Sequence, residues 1–139
     1  MLAVLDTSVV ISGLSAEEIP TDFQPIGFAV SAATLAELQF GVLVASAEER
    51  MQRIVRLNDV QRGMTVLRIE EDVAASYGLI AAASRALKRS PRRRVMDLLI
   101  AASAHAYNAT LFTRNPDDFQ TYGDIVDIHA LPPKSARTE

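Results

Sequence analysis

Two spacings of apolar residues alternate along this chain and divide it into predicted strands and helices. Short runs of apolar and β-branched residues are typical of strands in a buried sheet, and they fall at residues 2–5, 28–30, 65–69, 110–113 and 125–128. Apolar residues three and four positions apart predict helices at residues 8–14, 32–45, 46–63, 73–88 and 95–107. Because strands and helices alternate, the pattern predicts an α/β sandwich, in which helices flank a central, mainly parallel sheet.

Polar residues mark the ends of several predicted helices. Serine, aspartate and asparagine are favoured at such ends, and the candidates are Ser31, Asp72, the S-x-x-E pair Ser46 and Glu49, and Asn108 as a C-terminal stop. Residues 15–26 include two prolines and several acids. We expect a loop or a short broken helix there.

The composition narrows the class of protein. With 139 residues, 49% of them hydrophobic, the chain is predicted to form one domain over residues 1–131, followed by a flexible polar tail at 132–139. The absence of cysteine excludes disulfides and cysteine-ligated zinc. We find no signal-peptide pattern and no apolar run near the roughly 20 residues that span a bilayer, so we expect a cytoplasmic protein with no membrane partner.

Asp6 is the first residue to which the pattern assigns chemistry. It directly follows the apolar run at residues 2–5. A carboxylate at the C-terminal end of a central strand lies where open α/β sheets bind their ligands. The structural alternative is that Asp6 only caps the next helix, and for a single aspartate this is the commoner role.

Glu37 and Asp97 each interrupt a strongly apolar stretch. An acid with apolar neighbours faces solvent, pairs with another group or binds a cation. The alternative to a functional role for Glu37 alone is that its side chain simply faces solvent. The alternative for Asp97 alone is that it stabilises the N-terminus of its helix through the helix dipole.

The predicted sheet would bring these acids together at one edge. Strand C-termini and helix N-termini meet at one edge of such a sheet, so Asp6, Asp97 and the loop at 115–118 belong together, and Glu37 is early enough in its helix to reach them. Carboxylates brought together raise each other's pKa, and a hard divalent cation relieves that cost. We therefore expect Mg²⁺, with Mn²⁺ able to substitute, and phosphodiester chemistry.

Four blocks of sequence stand out, DTSV at 6–9, AELQFG at 36–41, DLLIAASA at 97–104 and TRNPDDF at 113–119. They resemble the motifs of PIN-domain ribonucleases, and their spacing resembles that of the VapC-type toxins of bacterial toxin–antitoxin pairs. The resemblance extends from about residue 1 to about residue 128, and its most specific part is DLLIAASA followed by TRNPDDF. It implies a PIN-like three-layer sandwich.

The resemblance also implies roles for individual residues. The metal-binding and catalytic acids would be Asp6, Glu37, Asp97 and, favoured over Asp117 and Asn115 for the fourth position, Asp118. Thr7, Ser8 and Asn115 would support the site. The implied activity is endonucleolytic hydrolysis of RNA by a metal-activated water, without a histidine, so His105 and His129 are assigned structural or solvent roles. The implied partners are a small antitoxin protein and a second copy of the chain.

A basic segment immediately precedes Asp97. Six basic residues lie between positions 85 and 94. Such runs are usually solvated surfaces, but here the run leads into an acidic site, and arginines beside a metal centre suit a phosphate backbone. The residues predicted to bind RNA are Arg92, Arg93, Arg94 and, beside the other acidic loop, Arg114.

Other functions stay in competition with this one. Haloacid-dehalogenase-type phosphatases need a second aspartate two residues after the first, where this chain has Ser8, and a receiver-type module needs a late lysine that TLFTRNP does not provide. A catalytically degenerate PIN fold that binds RNA or protein would be expected to have lost at least one of Asp6, Glu37 and Asp97.

The helices predicted within residues 32–63 carry a surplus of apolar side chains. Phe40, Val42, Leu43 and Val44 exceed what one buried face requires. They form either a groove for a partner helix or additional core against the sheet.

Overall fold

The computed structural model describes residues 2–23, 27–87, 94–119 and 124–134 and arranges them around one five-stranded sheet. The strands are β1 Leu2–Leu5, β2 Gly27–Ser31, β3 Thr65–Leu67, β4 Thr110–Thr113 and β5 Asp127–Ala130. Every pair of neighbouring strands within these residues is parallel. The order is β3-β2-β1-β4-β5, so the chain extends the sheet first to one side of β1 and later to the other. Ligands bind where the strand order reverses in this way, which is beside the C-terminal ends of β1 and β4.

Helices cover both faces of the sheet and complete the predicted three layers. They are α1 Thr7–Ser12, α2 Ala32–Val44, α3 Ala47–Gly63, α4 Glu71–Ala86 and α5 Val95–Ala106, with short 3₁₀ turns at Ala16–Glu18 and Pro116–Asp118. Alternate strand residues point to opposite faces. Val4 and Leu111 therefore join one core with α4 and α5. Leu5 and Phe112 join a second core with residues of α1, α2 and α3. The prediction of an α/β sandwich is confirmed.

The caps at three helix ends match the sequence predictions. The hydroxyl of Ser31 accepts a hydrogen bond from the Ala33 amide at 3.1 Å, and that of Ser46 accepts one from the Glu49 amide at 3.3 Å. Asn108 follows α5 with a φ of 51°, and the amide after it bonds back to the Ala104 carbonyl at 2.8 Å. Asparagine tolerates this left-handed conformation well, which explains its place at the stop.

Several predicted boundaries were wrong, among them both ends of α1, predicted at 8–14, and both ends of α4, predicted at 73–88. β5 spans Asp127–Ala130 rather than 125–128, because pairing with β4 places Asp127 opposite Thr110 and the two side chains bond at 2.7 Å. β3 ends at Leu67 rather than at Ile69, which is exposed. Asp72 is the second residue of α4, not its cap, and its carboxylate accepts from the Val73 amide at 2.8 Å.

The C-terminal end of the described chain packs against the sheet. The amide of Leu131 donates to the Thr113 carbonyl at 2.7 Å, and Lys134 Nζ donates to the Ser12 carbonyl at 2.7 Å. Residues 135–139 lie outside the described part, so the flexible tail stays a prediction for them. Within the described ranges, no helix combines the length and the apolar character that crossing a membrane requires.

Candidate active site

Asp6 is fixed at the end of β1 by three donors, two from the start of α1 and one from the end of β4. It is 4% exposed, and its Oδ1 accepts from the Val9 amide at 3.1 Å and from the Ser8 hydroxyl at 2.5 Å. The Thr113 hydroxyl, at the end of β4, donates to Oδ2. Asp6 is therefore the N-cap of α1 and, at the same time, an immobile carboxylate at the sheet edge where ligands bind.

Glu37 reaches the same edge from α2. It is half-buried, and its Oε1 accepts from the Thr7 hydroxyl at 2.7 Å. The Thr7 oxygen also lies 3.2 Å from that of Thr34. The structure thus places Thr7 and Ser8 next to two different acids, because consecutive residues at the start of α1 face different neighbours.

Asp97, in the first turn of α5, faces the other acids. Partial burial and, to a lesser extent, the charges of Asp118, Glu37 and Asp6, in that order, together raise its pKa to about 6. The Arg94 guanidinium opposes this rise in the pKa of Asp97. An acid whose pKa is raised by desolvation and by specific charged neighbours is a marker of functional sites.

The loop after β4 supplies the fourth acid. Asp118 ends the 3₁₀ turn and is partly buried, and its backbone carbonyl accepts from Arg94 Nη1 at 3.0 Å. Among the acids that raise the pKa of Asp97, Asp118 has the largest effect, and Asp117 beside it is exposed. Asn115 is exposed, and its amide nitrogen donates to the Thr113 hydroxyl at 3.0 Å. The structure thus brings Asp118 to the cluster and leaves the Asn115 side chain at its margin.

The donor set suits a hard divalent cation. All four groups are carboxylates, and their mutual repulsion is the cost that such an ion removes. Among the described residues, no three acidic or histidine side chains are already gathered as ligands around a common point. Mg²⁺ prefers oxygen ligands and commonly binds through one or two carboxylates with waters in its other positions, so the chemistry of this donor set fits the ion.

The assignment of Arg114 to RNA binding is corrected by the structure. The residue is 6% exposed, and all five of its N–H groups donate to protein oxygens. The acceptors are both Glu18 carboxylate oxygens at 2.6 and 2.9 Å, the Ser12 hydroxyl at 2.5 Å, and the carbonyls of Gly13 at 2.6 Å and Pro132 at 2.8 Å. With no donor left over, the guanidinium joins α1, the first 3₁₀ turn and the C-terminal segment instead of facing RNA.

Of the other residues assigned from the sequence, some lie within the described part of the structure and some outside it. Arg94 lies beside Asp97 and Asp118, whereas Arg92 and Arg93 lie outside the described residues. His105 bonds to the Ser76 hydroxyl at 2.7 Å, and the ring of His129 packs on Phe112 with centroids 4.8 Å apart. These contacts agree with structural roles for both histidines.

Sequence reasoning missed Thr113 and Glu18. Thr113 ends the strand that pairs with β1, and a threonine at the end of a buried strand, beside an aspartate that ends its neighbour, is a signal that could have identified it. Glu18 offered no such signal, because its partner Arg114 lies 96 residues away in the chain.

We expect Asp97→Asn to raise the melting temperature of the metal-free protein above about pH 6. The folded pKa of about 6 exceeds the ordinary 3.8, so the folded state binds the proton more tightly, and stability is lost as the pH rises through this interval. Solvent screens the half-buried side chain, which limits the gain to about 1 kcal/mol. Thermal melts in EDTA at about pH 4 and pH 8 test this. A lower melting temperature for the variant at both pH values would make Asp97 a structural residue.

Comparisons with known proteins find similar sequences and a similar structure. The PIN domain family model matches residues 3–125. Ribonuclease VapC4 of Mycobacterium tuberculosis is 33% identical over 93% of this chain and 95% of its own length, and Ribonuclease VapC5 of the same organism is 36% identical over 92% and 93%. The crystal structure of VapBC-5, a member of the VapBC toxin–antitoxin family from that organism, superposes with a TM-score of 0.77 and 31% identity, covering 95% of this chain and 98% of the other.

Proposed function

This chain belongs to the PIN domain family, and from that premise we propose that it is a metal-dependent endoribonuclease, the toxin of a toxin–antitoxin pair. The observation that supports the activity best is the cluster of four carboxylates around Asp97, whose pKa is raised to about 6 by burial and by the other three acids. Because its substrate is RNA, we place the activity in the cytoplasm.

The residues of the chain have distinct tasks in RNA hydrolysis. Asp6, held by Ser8, Val9 and Thr113, provides a fixed oxygen at the sheet edge. Glu37, held by Thr7, faces it from α2. Such rigid positioning keeps the reacting groups aligned without reorganisation during the reaction.

We propose that Asp6, Glu37, Asp97 and Asp118 hold Mg²⁺, with Mn²⁺ able to replace it. When bound, such an ion activates water as a nucleophile near neutral pH and offsets the negative charge that develops on the phosphate. The ion would also keep Asp97 ionised, because the repulsion that raises its pKa is then neutralised.

The partner that we propose is a small antitoxin, and the α2–α3 pair offers a surface for it. The sequence left open whether the surplus apolar residues are core or groove. Phe40, Leu43 and Val44 are 66, 77 and 60% exposed, and Met51 on α3 is 67% exposed, so they are not core. Val42, by contrast, is partly buried and packs against the second core. Large exposed apolar side chains on one helix pair are a feature of protein-binding surfaces. The homodimer implied by the resemblance stays a prediction.

The experiment that tests the activity is end-group analysis of the cleaved RNA. The purified chain, freed of any partner, should cut single-stranded RNA with Mg²⁺ or Mn²⁺ and leave 5′ phosphate and 3′ hydroxyl ends, because water rather than the ribose 2′-OH attacks. EDTA should abolish cleavage. Cyclic phosphate ends or EDTA-resistant cutting would contradict the metal-hydrolysis mechanism.

The basic segment before α5 leads to a separate prediction. If Arg92, Arg93 and Arg94 contact phosphates, replacing all three with alanine should weaken binding similarly for unrelated RNA sequences. It should also flatten the dependence of the binding constant on salt, by about 0.7 per lost phosphate contact. Fluorescence anisotropy at several salt concentrations measures both. An unchanged slope would make the segment an ordinary solvated surface.

The degenerate PIN fold is the second candidate that the sequence leaves open. A degenerate domain would be expected to lack at least one of Asp6, Glu37 and Asp97. All three are present in this chain, at the same edge of the sheet. Membership of the PIN family also removes the phosphatase and receiver alternatives, which need different residues. We therefore favour the catalytic function over pure binding.

A further inference from the structure

A pocket of about 260 Å³ opens next to the acidic cluster, between α1, α2 and α3. Its lining residues are Thr7, Ile11, Glu37, Leu38, Gly41, Arg53 and Arg56. Two of them, Thr7 and Glu37, already belong to the active site through their 2.7 Å hydrogen bond. Any group in this pocket therefore lies directly beside one of the proposed metal-binding acids.

The two arginines of the pocket differ in what their side chains bind. Arg53 donates from Nη1 to the Gly41 carbonyl at 2.7 Å and from Nη2 to the Glu49 carboxylate at 3.0 Å. Arg56, one turn later on the same helix, makes no hydrogen bond or ion pair with any part of the chain that the structure describes. A partly buried guanidinium with all its donors available is poised for an external anion.

The charges around the active site make such an anion partner useful. The four carboxylates repel an RNA backbone, the donors of Arg114 are all used within the protein, and Arg94 already bonds to the Asp118 carbonyl. Arg56 thus provides positive charge from α3 in the same pocket that Glu37 lines.

The pocket wall beside Arg56 is apolar. Ile11 is half-exposed, Leu38 is nearly buried, and Gly41 contributes only backbone. The flat face of a base or a ribose packs well on such a wall, whereas a bare inorganic phosphate gains nothing from it. The volume lies just below the roughly 300–1,000 Å³ of ordinary small-molecule sites, which suits a single nucleotide.

We propose that this pocket binds the nucleotide adjacent to the scissile phosphodiester, with its phosphate on Arg56 and its sugar or base against Ile11. The proposal rests on the endoribonuclease function above and extends it to a substrate subsite. Arg56 acts here as a positioning residue, because it holds the backbone in register with the acids and does not touch the reacting atoms.

The test compares two matched substitutions in α3. Arg56→Gln and Arg62→Gln remove the same charge from the same helix, but Arg62 is exposed, lies about 9 Å further along the axis and does not line the pocket. Each substitution is made in a parent protein that already carries Asp97→Asn. The affinity of each variant and of this parent for a short, mixed-sequence, fluorescein-labelled single-stranded RNA is measured in EDTA by fluorescence anisotropy across a range of salt concentrations.

We expect Arg56→Gln to weaken RNA binding about five- to tenfold and to reduce the salt slope by about 0.7, as for one lost phosphate. Arg62→Gln should match the parent. Arg56→Lys should restore the slope and only part of the affinity, because lysine keeps the charge but not the planar fork of donors. Melting curves for all variants should coincide, since Arg56 has no partner within the described chain to lose.

Equal affinity of the Arg56→Gln and Arg62→Gln variants for RNA overturns the proposal. The proposal is also overturned if Arg56→Gln loses affinity for an acidic protein partner but keeps its affinity for RNA. If wild-type protein cleaves RNA to 5′ phosphate ends in either case, the proposed function survives and only the subsite fails. A parent protein that neither binds nor cuts RNA overturns both.

Discussion

Replacing Asp6 with asparagine is expected to lower the rate of RNA cleavage by about a hundredfold or more without unfolding the protein. The substitution removes the charge of the most rigidly held acid in the cluster. Asparagine caps helices as well as aspartate does, so α1 keeps its N-cap. The hydroxyls of Ser8 and Thr113 can each donate or accept, which lets them adapt to the new amide.

The measurement is the initial rate of cleavage with Mn²⁺, together with calorimetric titration of Mn²⁺ into each protein. Asp59→Asn is the matched control, because Asp59 is exposed on α3 and does not belong to the acidic cluster. The control should keep both the wild-type rate and the wild-type Mn²⁺ affinity. Full activity in a folded Asp6→Asn protein would remove Asp6 from the catalytic site.

Replacing Arg114 with methionine is expected to cause the largest loss of stability. The change leaves the carbonyls of Gly13 and Pro132 without their donor and the Glu18 carboxylate without its counter-charge. Breaking one side of a buried ion pair is far more damaging than losing an exposed pair. We expect the melting temperature to fall by roughly 10 °C.

The pH dependence gives an independent signature of the same contact. Hydrogen bonds from Arg114 and, to a lesser extent, from Ser15 lower the pKa of Glu18 from 4.5 to about 2. A lowered carboxyl pKa stabilises the fold above the unfolded value, and that stability is lost as the pH falls from about 5 towards 2. Arg114→Met should therefore lose less stability on acidification than the wild type does.

Arg68→Met provides the comparison for an exposed pair. Arg68 lies 3.8 Å from Glu70, and both side chains are largely exposed, so its loss should leave the melting temperature unchanged. Equal effects at the two positions would show that the Arg114 contacts do not hold the fold together.

The main features of the fold could be predicted from the sequence because they follow from local patterns of residues. The first strand is a continuous apolar run, and the end of α5 depends on an asparagine that tolerates a φ of 51°. The position of β5 was not readable, because residues 125–128 are as apolar as a strand and only the pairing of Thr110 with Asp127 sets the register. Strand registers depend on the neighbouring strand, which a local pattern does not contain.

The acidic residues of the site could be predicted from the sequence better than the arginines could. Asp6 and Asp97 follow from their places at a strand end and a helix start, which the sheet topology brings to one edge. Arg114 was misassigned because proximity in sequence to an acidic loop says nothing about burial, and its true partner Glu18 is distant in the chain. Arg56 was overlooked for the converse reason, since only the packing of α3 beside α2 brings it near Glu37.

The hydrogen bond from Thr113 to Asp6 joins residues that are 107 positions apart. Synthesis of the chain produces Asp6 107 residues before Thr113, and β1 has no partner on that side until β4 has been made. A nascent or prematurely released chain that lacks β4 therefore carries Asp6 without the neighbour that aligns it. The acidic site is thereby assembled only after β4 has been synthesised and has paired with β1.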